Sequence, residues 1–121
     1  MSLRSNMELL VSNHGLEAIA EALLVSPHTV IAGLRGQDLW PSTQILVTRL
    51  ALEGGEVVKY LRNQPDGPYT REYRTALGLN RYEFAELVGV SYHTVYRWEA
   101  GKVVPQGPVI RLAQLARRTS S

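Results

Sequence analysis

Asn80-Arg-Tyr-Glu-Phe-Ala-Glu-Leu-Val-Gly-Val-Ser-Tyr-His-Thr-Val-Tyr-Arg-Trp-Glu-Ala-Gly-Lys102 reads as two short helices joined by a tight turn. Asn80 is a good N-cap, and Glu83 three residues on completes a capping box. Leu79 and Phe84 have the spacing of a hydrophobic staple, and Val90 and Val95 repeat it around Ser91, the cap of the second helix. Gly89 stands where the first helix must stop, at a turn that favours positive φ. Two capped helices separated by so few residues make a helix-turn-helix.

The second helix, Tyr92 to Ala100, has two contrasting faces. At 100° per residue Thr94, Val95 and Trp98 point one way, toward Phe84, Leu87 and Val88. His93, Tyr96, Arg97 and Ala100 point the other way. That outer face carries donors, a cation and rings but no carboxylate. A helix entering the DNA major groove needs such a face, with arginine for guanine edges and nothing to repel phosphate. The plainer alternative is the solvated side of a small helical bundle.

The surroundings favour the first reading. Glu99-Ala100-Gly101-Lys102 followed by Pro105 closes the helix, and Pro108 to Arg117 supplies another amphipathic one. From Thr70 to Arg118 the chain resembles the lambda-repressor-like, Xre-type helix-turn-helix family. The resemblance is carried by Leu79-Asn80-x-x-Glu83-Phe84-Ala85-Glu86-Leu87-Val88-Gly89-Val90-Ser91-x-x-Thr94-Val95-x-x-Trp98-Glu99-x-Gly101. It implies an all-α, DNA-binding domain of four or five helices. It also implies that Tyr92, His93 and Arg97 contact bases, with Thr94 and Tyr96 beside them, and that Arg81, Lys102 and Gln106 contact phosphate.

Bulk properties set the limits. The 121 residues suffice for one domain or two small ones. No stretch approaches the roughly 18 apolar residues of a membrane span, and no basic-then-apolar leader is expected. The lack of cysteine excludes disulfides and thiolate metal sites and fits a cytoplasmic protein. The net charge of +2 is unevenly shared. Residues 1–64 hold five Lys or Arg against six Asp or Glu, whereas residues 65–121 hold eight against five. The basic excess thus accompanies the reading helix, as phosphate neutralisation requires.

Taken in order, the chain predicts helices over Met7–Val11, Leu16–Leu24, Pro27–Arg35, Thr43–Leu52 and Glu56–Arg62. Asn63 to Pro68 is dense in breakers and reads as a linker between a domain over 1–64 and one over 65–121. Shifting the chain by 65 residues reveals a repeat. Ala20, Glu21, Val25, Ser26, His28, Thr29, Val30, Gly36, Ile45, Leu50 and Ala51 meet identical residues, with the Val-Ser-x-His-Thr-Val block in register. The first half therefore reads as a diverged second helix-turn-helix, making the fold two tandem lambda-repressor-like units. Its outer face would be His28, Ile31, Ala32 and Arg35, poor in hydrogen-bonding groups and with Trp40 nearby. Such a face suits dimerisation or a protein partner better than bases. The competing view is that both copies touch DNA, the first mostly through phosphates.

Catalytic chemistry finds no support. His14, His28 and His93 make no metal-ligand spacing, Ser91 is engaged as a cap, and Gly54-Gly55 precedes no phosphate-loop lysine. No cofactor is implied. Tyr69, Tyr73 and Tyr82 are expected to pack the first helices of the second half, and Arg111, Arg117 and Arg118 to form a solvated face. The function expected is a transcriptional regulator reading double-stranded DNA, acting as a homodimer or as an internal pseudo-dimer. The alternative is a protein-interaction module, an antitoxin or adaptor, working through the apolar surface around Ile31, Trp40 and Val47.

Overall fold

A computed structural model of the protein describes residues 2–66 and 70–120, with nothing of the Ser120 side chain. Tyr69 lies outside them. Nine helices and no strand occur among the described residues, so the architecture is all-α. They are α1 (Leu3–His14), α2 (Leu16–Leu23), α3 (Pro27–Leu34), α4 (Pro41–Glu53), α5 (Gly55–Arg62), α6 (Thr70–Ala76), α7 (Arg81–Val88), α8 (Tyr92–Glu99) and α9 (Gly107–Ser120).

Most differences from expectation are at helix ends and have local causes. α1 extends a full turn before Met7 because the Ser2 hydroxyl accepts the Ser5 N–H at 3.1 Å and caps it. α4 begins at Pro41, where proline's missing N–H would in any case be unpaired. Ser26 holds the cap position of α3, but its hydroxyl makes no capping bond. Between α2 and α3 the axis bends by 108°, in the range of a helix-turn-helix.

The 65-residue shift maps α2 onto α7 and α3 onto α8 end to end. The backbone agrees in detail. Leu24 and Gly89 both take left-handed φ, 58° and 75°, as do Gly36 and Gly101, at 79° and 76°. The bonds from Val25 N to Ala20 O, Gly36 N to Gly33 O and Gln37 N to Ala32 O recur between Val90 and Ala85, Gly101 and Trp98, and Lys102 and Arg97. In both units the next helix, α4 or α9, packs on its counterpart across the centre of the molecule.

The contacts beside that crossing are reciprocal. Gly89, ending α7, lies against Pro41, Ser42 and Ile45 at the start of α4. Leu24, ending α2, lies against Gly107 at the start of α9. The shift carries Leu24 onto Gly89 and Ser42 onto Gly107. Each unit therefore presents to the other the patch it receives, which is the signature of a two-fold axis. α5 has no counterpart among the described residues and packs on α2, α4 and α9.

α9 is buried from Pro108 to Leu115 on every side, sharing one core with Met7, Leu23, Val30, Leu46, Leu50, Phe84 and Val95. The expectation of a solvated Arg111 is therefore corrected: it is 1% exposed. Its Nη2 donates to the Glu21 carbonyl at 2.9 Å, and Nη1 to the Gln114 side chain at 3.0 Å and the Gln64 carbonyl at 3.4 Å. Gln114 in turn donates to the Pro65 carbonyl at 2.8 Å and the Tyr73 hydroxyl at 3.2 Å. Helix periodicity placed Arg111 outside because it sees one helix; the missing half of the surroundings is the first unit. Burial lowers its pKa from the ordinary arginine value, opposed by the charges of Asp66 and Glu21. Val47, expected on a surface, is likewise wholly buried.

Gly107 offers a test of the reciprocal contact. A Cβ there would sit 1.9 Å from the Leu24 carbonyl oxygen, so α9 would have to slide off α2. Gly107→Ala should cost about 1–3 kcal/mol in urea unfolding, as overpacked sites do. Gly78→Ala, with φ +71° but open space around it, should cost only about 1 kcal/mol.

Candidate nucleic-acid interface

The second unit is built from caps. The Asn80 side chain accepts the Glu83 N–H at 2.9 Å and the Glu83 carboxylate accepts the Asn80 N–H at 2.9 Å, so α7 starts with a complete capping box. The Ser91 hydroxyl accepts the Thr94 N–H at 3.2 Å and starts α8. Val95 is fully buried, and Thr94 and Trp98 are half-buried beside it. His93, Tyr96 and Arg97 are exposed on the opposite side.

Glu99, the carboxylate of α8, turns inward. Its side chain is 4% exposed and accepts from Arg74 Nε at 2.7 Å, Arg74 Nη2 at 2.9 Å and Arg81 Nε at 3.1 Å. Three helices, α6, α7 and α8, meet on this group. Burial alone would raise its pKa, but the hydrogen bonds from the two guanidinium groups outweigh that and hold it below the usual carboxylate value. The same contact, with the Tyr92 hydroxyl adding to it, raises the pKa of Arg81. Arg97 meets no such partner among the described residues.

An aromatic band runs along this side, with Arg81 against it. Tyr82 and Tyr92 stack at 4.2 Å between ring centroids with planes 21° apart, His93 and Tyr96 lie 6.4 Å apart, and the Arg81 guanidinium sits 5.6 Å from the centre of the Tyr96 ring. Tyr82 is 68% exposed, so its expected packing role is corrected; it extends the outer face instead. Its place on α7, beside the rim where Tyr92 emerges, is a tertiary fact that helix periodicity does not carry. Tyr73 is buried, as the packing reading had it.

The sequence-selected residues thus divide. Tyr92, His93, Tyr96 and Arg97 share the outer side of α8, and Thr94 lies half-buried beneath it. Arg81 is at the rim but tied to Glu99. Lys102 is exposed in the loop after α8. Gln106 lines a groove of about 320 Å³ that also includes Trp40, Ser42, Thr94 and Trp98.

The caps of α7 and α8 and the left-handed turn between them define a helix-turn-helix unit. A family model described as "Helix-turn-helix" matches residues 71–118, and this segment belongs to the Xre, lambda-repressor-like helix-turn-helix family. No curated protein matches the chain. No solved structure matches it either.

The buried carboxylate gives a pH test. A lowered folded-state pKa makes Glu99 stabilising above the ordinary value of 4.5, and that contribution is lost as pH falls through the lowered value. Glu99→Gln should lose about 2–4 kcal/mol at neutral pH, because Arg74 is left without its counter-charge. The gap to the unmutated chain, read from urea midpoints, should close as pH drops below 4.5.

Proposed function

We propose that the protein is a transcriptional regulator that reads double-stranded DNA with α8 in the major groove. The observation carrying this reading is the disposition of charge on α8. Its carboxylate is drawn under the surface by two arginines, while Arg97 stands outside without a counter-ion among the described residues. A helix of a solvated bundle gains nothing by hiding its acid and exposing its base; a helix meeting phosphate-lined walls does.

In this reading Arg97 takes a guanine through its O6 and N7 acceptors, and His93 and Tyr96 contact the neighbouring base edges. Tyr92, held by Tyr82, lies at the groove rim with Thr94 behind it. Lys102 and Gln106 hold phosphate on the far side of the helix. Arg81 gives its Nε to Glu99 and also meets the Tyr92 hydroxyl, so it has less left for the backbone than Lys102. Phosphate contacts fix the register and base contacts fix the sequence.

The two roles separate by mutation. Arg97→Ala should cost about 1–3 kcal/mol on the preferred duplex and relax one base position. Lys102→Ala should weaken all duplexes alike and reduce the salt slope by about 1. Gel shifts on a sequence selected from a random duplex library, set against random duplex at several salt concentrations, measure both. Equal losses on selected and random duplex for both variants would sink the assignment.

A further inference from the structure

Tyr92, the first residue of α8, is held by α7 at two points. Tyr82 stacks on one face of its ring, 4.2 Å between centroids with planes 21° apart. Its hydroxyl meets the guanidinium of Arg81, which is itself bonded to Glu99. Tyr82 serves no core in doing so, being 68% exposed. A large apolar side chain kept at the surface, with its ring laid on a neighbour that faces outward, acts on that neighbour and not on the interior.

The two contacts decide what Tyr92 can present. With the hydroxyl anchored on a guanidinium and one ring face covered, the surface left to an incoming duplex is carbon. Base edges in the major groove are donors and acceptors with one exception, the C5 methyl group of thymine. That methyl stands at the pyrimidine's end of the base-pair edge, beside the backbone of its own strand. A ring at the groove rim therefore meets it before any deeper group, and the contact gains by excluding water.

We infer that Tyr92 reads the methyl group of a thymine, and that Tyr82 is a positioning residue that holds the ring for that contact. Tyr92 and Arg97 lie about 7.5 Å apart along the helix, so the thymine belongs to a different base pair from the one Arg97 takes. The preferred duplex thus has one position recognised through hydrogen bonds and one recognised through a methyl group. This rests on the assignment of α8 as the DNA-reading helix. It goes beyond that assignment by naming the chemical feature that Tyr92 recognises and by giving α7 a part in sequence selection.

The test uses the full chain and the duplex selected from a random library. Each thymine is replaced in turn by deoxyuridine, which removes the methyl and keeps every hydrogen-bonding group. At one thymine the exchange should weaken binding about fourfold, the loss expected for one methyl left uncovered. Tyr92→Ala should bind the thymine and deoxyuridine duplexes equally at that position, whereas Tyr92→Phe, which keeps the ring, should still distinguish them. Tyr82→Phe should keep the preference and Tyr82→Ala should shrink it, because the stack is what holds Tyr92. Each variant is read as a ratio between two duplexes, so a general loss of affinity or stability cancels.

A selected duplex in which no exchange matters would overturn the inference, as would a methyl preference that survives Tyr92→Ala. An unchanged ratio in Tyr82→Ala would remove the positioning role. In each of these outcomes Arg97→Ala still relaxes its own base position, and DNA reading by α8 stands. Failure of the DNA-reading assignment has a separate signature and takes this inference with it: no duplex is preferred over random sequence, and Arg97→Ala relaxes nothing.

Discussion

A carboxylate out of water between two guanidinium groups fixes the second unit. Glu99 closes α8, Arg74 belongs to α6 and Arg81 to α7, so one group determines how three helices meet. Such a cluster contributes little net stability when compared with apolar replacements, because desolvation offsets much of the attraction. Its value here is positional. Glu99 follows Arg97 by two residues, and turning the acid inward rotates the arginine outward. The charge that steadies the core and the charge left for a partner are two consequences of one helix rotation.

The relation between the halves depends on α9. A helix buried on all sides must be apolar or fully satisfied, and the two polar residues in its buried middle, Arg111 and Gln114, are nearly so. Apart from each other and the Tyr73 hydroxyl, their hydrogen-bond partners are backbone carbonyls of Glu21, Gln64 and Pro65. Carbonyls are present whatever the side chains of α2 and the connection, so this part of the latch asks little of their sequence. It also departs from the internal two-fold: the shift carries Leu46 onto Arg111 and Arg49 onto Gln114. Similar backbones thus meet through unlike chemistry, with Leu46 buried in apolar surroundings and Arg111 at the connection.

Much of this was legible in the chain because helix-turn-helix signals are local. The capping box at Asn80, the Ser91 cap and the glycine turn each lie within four residues, and the repeat brought the first unit in with the second. What the sequence hid was tertiary. Arg111 follows an apolar pattern that leaves it facing away from its own unit, and only the packing of the other half makes that side an interior. Tyr82 sits among residues that would pack on a neighbouring helix, yet it emerges beside Tyr92 and stacks there. Arg81 was chosen by position as a phosphate ligand, and position could not show that Glu99 would claim its Nε. Ser26 and Ser91 share a cap position, but only Ser91 makes the capping bond.

On the proposed function, a single reading helix limits what one chain can do. Each good base pairing contributes about 1–3 kcal/mol of discrimination, while affinity at cellular salt comes largely from phosphates. The second half has an excess of three basic residues over acidic ones, a modest store of attraction for phosphate, and the first half adds a net negative charge. A homodimer would double the reading surface at the cost of bringing two molecules together. Two units in one chain share a core around the buried α9, so their relative placement is set by folding and not by an encounter between molecules.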